Sequence, residues 1–96
     1  MSEHRVGTIT HFFNRLRVAT VRLEQPLAVG DRLHVKGRGH EFWLKVKSME
    51  VDHAPVREAK PGQEVGIRVP ARARAGDEVL KDDAPRGSWL ARLLGR

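Results

Sequence analysis

Ninety-six residues leave room for one domain with a single hydrophobic core, and the absence of cysteine excludes a disulfide framework, a thiolate zinc site and a cysteine nucleophile. Eighteen Lys and Arg, thirteen of them Arg, stand against twelve Asp and Glu for a formal net charge of +6, a balance that favours an anionic partner because each cation placed on a phosphate releases a counterion. No run of about 18 apolar residues is present to span a bilayer, and Met1-Ser2-Glu3-His4-Arg5 leads into a strand pattern without the apolar stretch of a signal peptide, so a cytoplasmic chain with no membrane partner is expected.

Residues 4–13 are rich in β-branched and aromatic types and predict a first strand, with a tight turn at Asn14-Arg15. Residues 16–23 predict a second, whose apolar side chains fall on both parities; a bulge near Val18-Ala19 would reconcile them. Glu24-Gln25-Pro26 ends that strand, since proline cannot donate to a ladder. Gly30-Asp31 then opens onto an alternating strand with Leu33 and Val35 inward and Arg32, His34 and Lys36 outward. The same grammar returns at Gly62-Gln63 and Gly76-Asp77. Each glycine suits a positive φ, and the short polar residue after it can bond back to the backbone. Gly37-Arg38-Gly39-His40 is a turn, and residues 41–53 read as the longest strand. Phe42, Leu44 and Val46 share one face there while Met49 and Val51 have the opposite parity, which implies a bulge or bend near Lys47-Ser48. Residues 54–59 read as a loop across one end of the sheet, and residues 63–69 and 78–81 as the last strands.

Six strands with regular turn signals and no helical period before residue 82 predict an all-β fold, a small closed antiparallel β-barrel, because closure protects the sheet edges of so short a chain. Residues 1–81 form this domain in the sequence reading, and residues 82–96 a linker and tail. In the tail Ser88 can cap a short amphipathic helix with Trp89, Leu90, Leu93 and Leu94 on one side and Arg92 opposite. Such a helix either docks on the barrel or is offered to a partner protein.

Taken together, Val6-Gly7-Thr8-Ile9-Thr10-His11-Phe12-Phe13, Leu27-Ala28-Val29-Gly30-Asp31-Arg32-Leu33, Val46-Lys47-Ser48-Met49, Ala59-Lys60-Pro61-Gly62-Gln63-Glu64-Val65-Gly66-Ile67 and Ala75-Gly76-Asp77-Glu78-Val79 resemble the second domain of translational GTPases such as elongation factor Tu and initiation factor 2. The resemblance covers roughly residues 4–81, looks closest to small stand-alone translation elongation factor-like proteins, and extends to a similar barrel at the C-terminus of some U32-family peptidases. It implies a six-stranded Greek-key barrel and a place in protein biosynthesis, leaning on the ribosome or on tRNA. It implies no GTPase activity, for the chain has no Gly-x-x-x-x-Gly-Lys-Ser/Thr loop and hence no GTP site.

The candidate nucleic-acid surface joins Trp43, Lys45 and Lys47 to Arg15 and Arg17, because an exposed aromatic among cations stacks on unpaired bases while the cations neutralise phosphates. The bland reading has Trp43 packed under the tail helix or a neighbouring loop. Lys36 and Arg38 in the glycine-flanked turn and Arg68, Arg72 and Arg74 around Pro70 extend the basic set, though Gly37-x-Gly39 is no phosphate-loop fingerprint and reads equally as a hairpin turn. His4, His11, His34, His40 and His53 show no metal-ligand spacing; His34 and His40 facing each other across a hairpin would supply two ligands at most. Ser2, Ser48 and Ser88 lack a nucleophile context, and Glu50 and Asp52 share a strand face where Lys or Arg can pair with them. The expectation is a non-enzymatic module without cofactor or metal that binds RNA or the ribosome. Two alternatives remain: an accessory domain that docks on an enzyme through the barrel and the Trp89-Leu90-Leu93-Leu94 face, and a small-ligand groove at a barrel end.

Overall fold

Three corners set the frame of the chain, and each repeats one piece of local chemistry. Gly30, Gly62 and Gly76 have φ of 101°, 92° and 99°, and each sits third in a turn closed by a backbone bond: Asp31 N–H to Ala28 O (3.1 Å), Gln63 N–H to Lys60 O (3.2 Å) and Asp77 N–H to Arg74 O (3.1 Å). The side chain after each glycine accepts from the first amide of its turn, Ala28 N–H to Asp31 Oδ2 (2.9 Å), Lys60 N–H to Gln63 Oε1 (2.8 Å) and Arg74 N–H to Asp77 Oδ2 (3.0 Å). Positive φ at the third position, with Pro61 second in the middle example, is the pattern of a type II turn. The corner chemistry expected from the sequence is present at all three.

The computed structural model describes residues 3–82. Its strands are β1 (Glu3–Phe13), β2 (Val18–Leu23), β3 (Leu27–Ala28), β4 (Arg32–Gly37), β5 (His40–Lys45), β6 (Met49–Val51), β7 (Ala54–Val56), β8 (Glu58–Ala59), β9 (Glu64–Arg68) and β10 (Glu78–Asp82). An antiparallel sheet of eight runs β5-β4-β10-β1-β2-β9-β6-β7, and β3 pairs with β8 in a small ribbon. The described residues are all-β, with no helix among them. The linker and helix expected beyond β10, with Ser88, Trp89, Leu90, Arg92, Leu93 and Leu94, lie outside the described residues.

The closed six-stranded Greek-key barrel is not formed. The ladder has two ends, β5 and β7. The expected long strand over residues 41–53 is two strands, because the chain leaves the ladder at residues 46–48 and carries β6 to the far flank of the sheet from β5. Val46 makes the last bonds on the β4 side, at the corner just before Arg32, accepting from Gly30 N–H (2.8 Å) and donating to Asp31 O (2.9 Å). At the other end the central residue of β7 is Pro55, which has no N–H to continue a ladder. Four Cα–Cα steps join Lys45 to Met49, which limits their separation to about 15 Å. The open sheet is therefore curled enough to bring its flanks near each other.

One core fills the concave side. Val6, Ile9, Ala19, Val21, Leu23, Leu33, Val35, Val46, Met49, Val65, Ile67 and Val79 are buried, with Phe42, Leu44 and Val51 packed against them. The parity conflict of residues 16–23 resolves differently from expectation. Leu16 belongs to the turn and is exposed, so β2 buries only Ala19, Val21 and Leu23. The register shifts lie in β1, between Arg5 and Gly7 against β10 and between Ile9 and His11 against β2. Residues 54–59, expected as a loop, carry β7 and β8; Asp52 and His53 at positive φ (52° and 66°) close the β6–β7 hairpin.

Candidate docking surfaces

The convex face of β5, β4, β10 and β1 is polar and tightly paired. Alternation puts Arg32, His34 and Lys36 of β4 on it, opposite Lys45, Trp43 and Glu41 of β5. On its other side β4 meets β10, with Glu78 opposite Lys36 and Leu80 opposite His34. The β4–β5 hairpin closes at Gly37–His40 over two residues, so that pair exchanges backbone hydrogen bonds and His34–Trp43, three pairs along, does not. Side chains of such a pair approach most closely. The His34 and Trp43 rings accordingly stack at 4.2 Å and 7°.

His34 was expected to point into solvent; it does face outward, yet it is only 7% exposed because Trp43 covers it. Its Nδ1 lies 3.0 Å from both carboxylate oxygens of Glu3, and its Nε2 lies 2.8 Å from Glu41 Oε1. Only the imidazolium can donate to both carboxylates at once. Burial pushes the His34 pKa down, but the hydrogen bonds to Glu3 and Glu41 and their charges outweigh it, so the pKa is raised above 6.5. The two carboxylates grip opposite nitrogens of one ring, an arrangement that ties strands together and leaves no common point for a metal ion. No group of three or more metal-ligating side chains occurs among the described residues. His34 and His40 do not face each other: His40 pairs with Gly37 and its Nε2 lies 2.8 Å from Asp77 Oδ2, while Lys81 Nζ lies 3.0 Å from Asp31 Oδ2. Each corner carboxylate thus holds both its own turn and a second strand.

The surface expected to join Trp43, Lys45 and Lys47 to Arg15 and Arg17 is divided. Trp43 and Lys45 stand on β5, whereas Arg15 and Arg17 lie in the turn between β1 and β2; β4, β10 and β1 intervene between β5 and β2, about 19 Å along the sheet at ~4.8 Å per strand. Lys47 is exposed between β5 and β6, Lys36 lies between Glu41 and Glu78, Arg38 is at the β4–β5 turn, and exposed Arg72 and Arg74 lead into the Gly76 corner. Arg15, Arg17 and Arg68 meet beside the β1–β2 turn: Arg68 is opposite Val18, and Arg17 O accepts from Val69 N–H (2.9 Å). The sequence reading missed what surrounds these arginines. Phe13 and Leu16 are 44% and 62% exposed at the same hairpin tip, where Phe13 stacks on His11 at 5.1 Å. The tip is an apolar pair ringed by cations. Its sequence signal was the parity of Leu16, which disagrees with the inward set of β2.

No family model matches the chain. An uncharacterized protease of Methanocaldococcus jannaschii is 32% identical over 75 residues, which are 77% of this chain but only 18% of the protease. Two solved structures of the C-terminal domain of a Geobacillus thermoleovorans protein described as a U32 peptidase superpose with TM-scores of 0.76 and 0.77 at 16% and 17% identity. They cover 79% and 82% of this chain, and the match takes in 96% and 92% of theirs. These findings correct the resemblance to translation factors, and with it the expectation of a ribosome- or RNA-binding module in protein biosynthesis: the proteins matched are a protease and peptidase C-terminal domains. No helix among the described residues is long and apolar enough to cross a membrane. The fold is that of a U32 peptidase C-terminal domain.

Proposed function

We propose that this chain is a non-catalytic accessory domain that docks on a peptidase polypeptide. The observation that carries the reading is the size of the match. Nearly the whole of a separately solved peptidase C-terminal domain is matched, while the similar protease is matched over only 18% of its length. The contact surface on this reading is the β1–β2 hairpin tip, where exposed Phe13 and Leu16 stand among Arg15, Arg17 and Arg68. Burying an exposed leucine at an interface is worth about 1.5–3 kcal/mol, and the flanking cations orient an anionic counter-surface.

The test uses the Methanocaldococcus protease with its matching segment deleted. Co-elution of the two chains at tens of micromolar, lost with Leu16→Asp and retained with Lys36→Ala on β4, which β10 and β1 separate from β2, is the expected result. A chain ending at Asp82 shows in the same assay whether the Trp89-Leu90-Leu93-Leu94 segment shares the contact. Absence of association with the intact chain overturns the proposal.

A further inference from the structure

The convex row of β5 has a symmetry that neither the accessory role nor the comparisons use. On one side β5 is fully paired with β4, and Val46 beyond its end bonds to Gly30 and Asp31 on that same side; on the other side no backbone hydrogen bond reaches β5 among the described residues. Because Gly37–His40 is the hydrogen-bonded closing pair, the backbone groups of Glu41, Trp43 and Lys45 are those that point away from β4. These are also the residues whose side chains stand on the convex face. They read negative, aromatic, positive, so the charges reverse about Trp43.

We propose that a second copy of this chain pairs here, β5 antiparallel to β5 about a two-fold axis at Trp43. An isologous contact needs a self-complementary patch, and this strand is one. Trp43 lies opposite the partner's Trp43, Glu41 opposite the partner's Lys45, and Lys45 opposite the partner's Glu41. About six backbone hydrogen bonds form along the three facing pairs. The pairing also explains an otherwise unfavourable feature of the monomer. Arg32 and Lys45 are directly opposite across β4 and β5 with no carboxylate in ion-pair range among the described residues, and like charges so placed are destabilising. In the dimer the partner's Glu41 comes in beside Lys45. The central row becomes a run of four rings, His34 and Trp43 from each copy, and the flanking rows alternate in sign. The far edge of the sheet, with Pro55 at the centre of β7, is closed to such pairing.

Sedimentation equilibrium of the intact chain from the low micromolar range to several hundred micromolar decides the matter, since a contact this narrow is weak. The expected result is a rise from 10.8 kDa toward twice that mass. Lys45→Glu sets Glu41 against the introduced carboxylate and weakens association at least tenfold, as does Glu41→Lys. Mixing the two variants restores association, because each supplies the charge that the other has lost. Circular dichroism confirms that both variants remain folded. A wild-type chain that stays at 10.8 kDa throughout, variants that dimerise like it, or a mixture that fails to recover overturns the proposal.

Discussion

Gly7 and Gly66 form a matched pair of substitutions whose outcomes should differ in sign. Both lie in strands, both pair across to β2, and neither has a positive φ. Only the space at each Cβ separates them. A Cβ at Gly7 would collide with the backbone oxygen of Arg22 and sit 2.8 Å from Val21 Cγ1 and 3.2 Å from the Arg22 carbonyl carbon. Backbone cannot rotate aside, so β1 and β2 must part where Gly7 faces Leu23. At Gly66 the added carbon meets only Val18 Cγ1, at 3.4 Å. Overpacking costs about 1–3 kcal/mol, and the rigid neighbour puts Gly7→Ala toward the upper end, about 2–3 kcal/mol. Gly66→Ala is neutral or stabilising by up to about 1 kcal/mol, because alanine restricts the unfolded chain. In a domain of this size about 1 kcal/mol moves Tm by roughly 4–8 °C. Differential scanning calorimetry should therefore place Gly7→Ala at least about 10 °C below wild type and Gly66→Ala level with it or above. Equal Tm values for the two variants would refute the argument from close approach.

Two further outcomes follow from the paired carboxylates. The His34 pKa is raised by Glu3 and Glu41, so its stabilisation is fully present below the unfolded value of 6.5 and fades as pH rises through the folded pKa, with a slope of at most one proton, about 1.4 kcal/mol per pH unit. The difference in urea midpoint between wild type and His34→Gln should accordingly shrink from pH 6 to pH 9; a constant difference would mean that the ring acts by packing alone. Asp77→Ala strips the acceptor from Arg74 N–H and His40 in a buried corner and should cost about 2 kcal/mol in chemical denaturation. Gln63→Ala at the exposed equivalent corner should cost less than about 1 kcal/mol, and a reversed order would contradict the burial argument.

How much of this was legible in the sequence depended on how local each signal was. The corners were readable because glycine, the short acceptor after it and the turn amide lie within four residues. The alternation of Val65 and Ile67 fixed β9 in the same way. The long run after His40 misled because Val46 continues the inward parity of Phe42 and Leu44 and still bonds to the residues just before β4, so no local signal marks the crossing that follows it. Closure failed as an expectation for the same reason, since it depends on which strand the chain reaches after residues 46–48. His34 faces outward as expected, but its burial was not legible because it comes from Trp43 across a hairpin and from Glu3, thirty-one positions away. The resemblance to translation factors rested largely on the corners and strand order. Those features position strands and leave the function of the outward side chains open.

The place of β10 in the sheet bears on how the domain comes into being. It is the last described strand along the chain, yet it lies between β4 and β1, joining two halves of the sheet that do not otherwise touch side by side. During synthesis β1, β2 and β9 can assemble, and β4 with β5, but both halves present a bare edge until residues 78–82 emerge. Unpaired edges of that kind recruit other chains. A nascent or truncated polypeptide ending near Gly76 would then be the most aggregation-prone form of this protein, and the closing step of folding would be a single late strand inserted at the middle of the sheet.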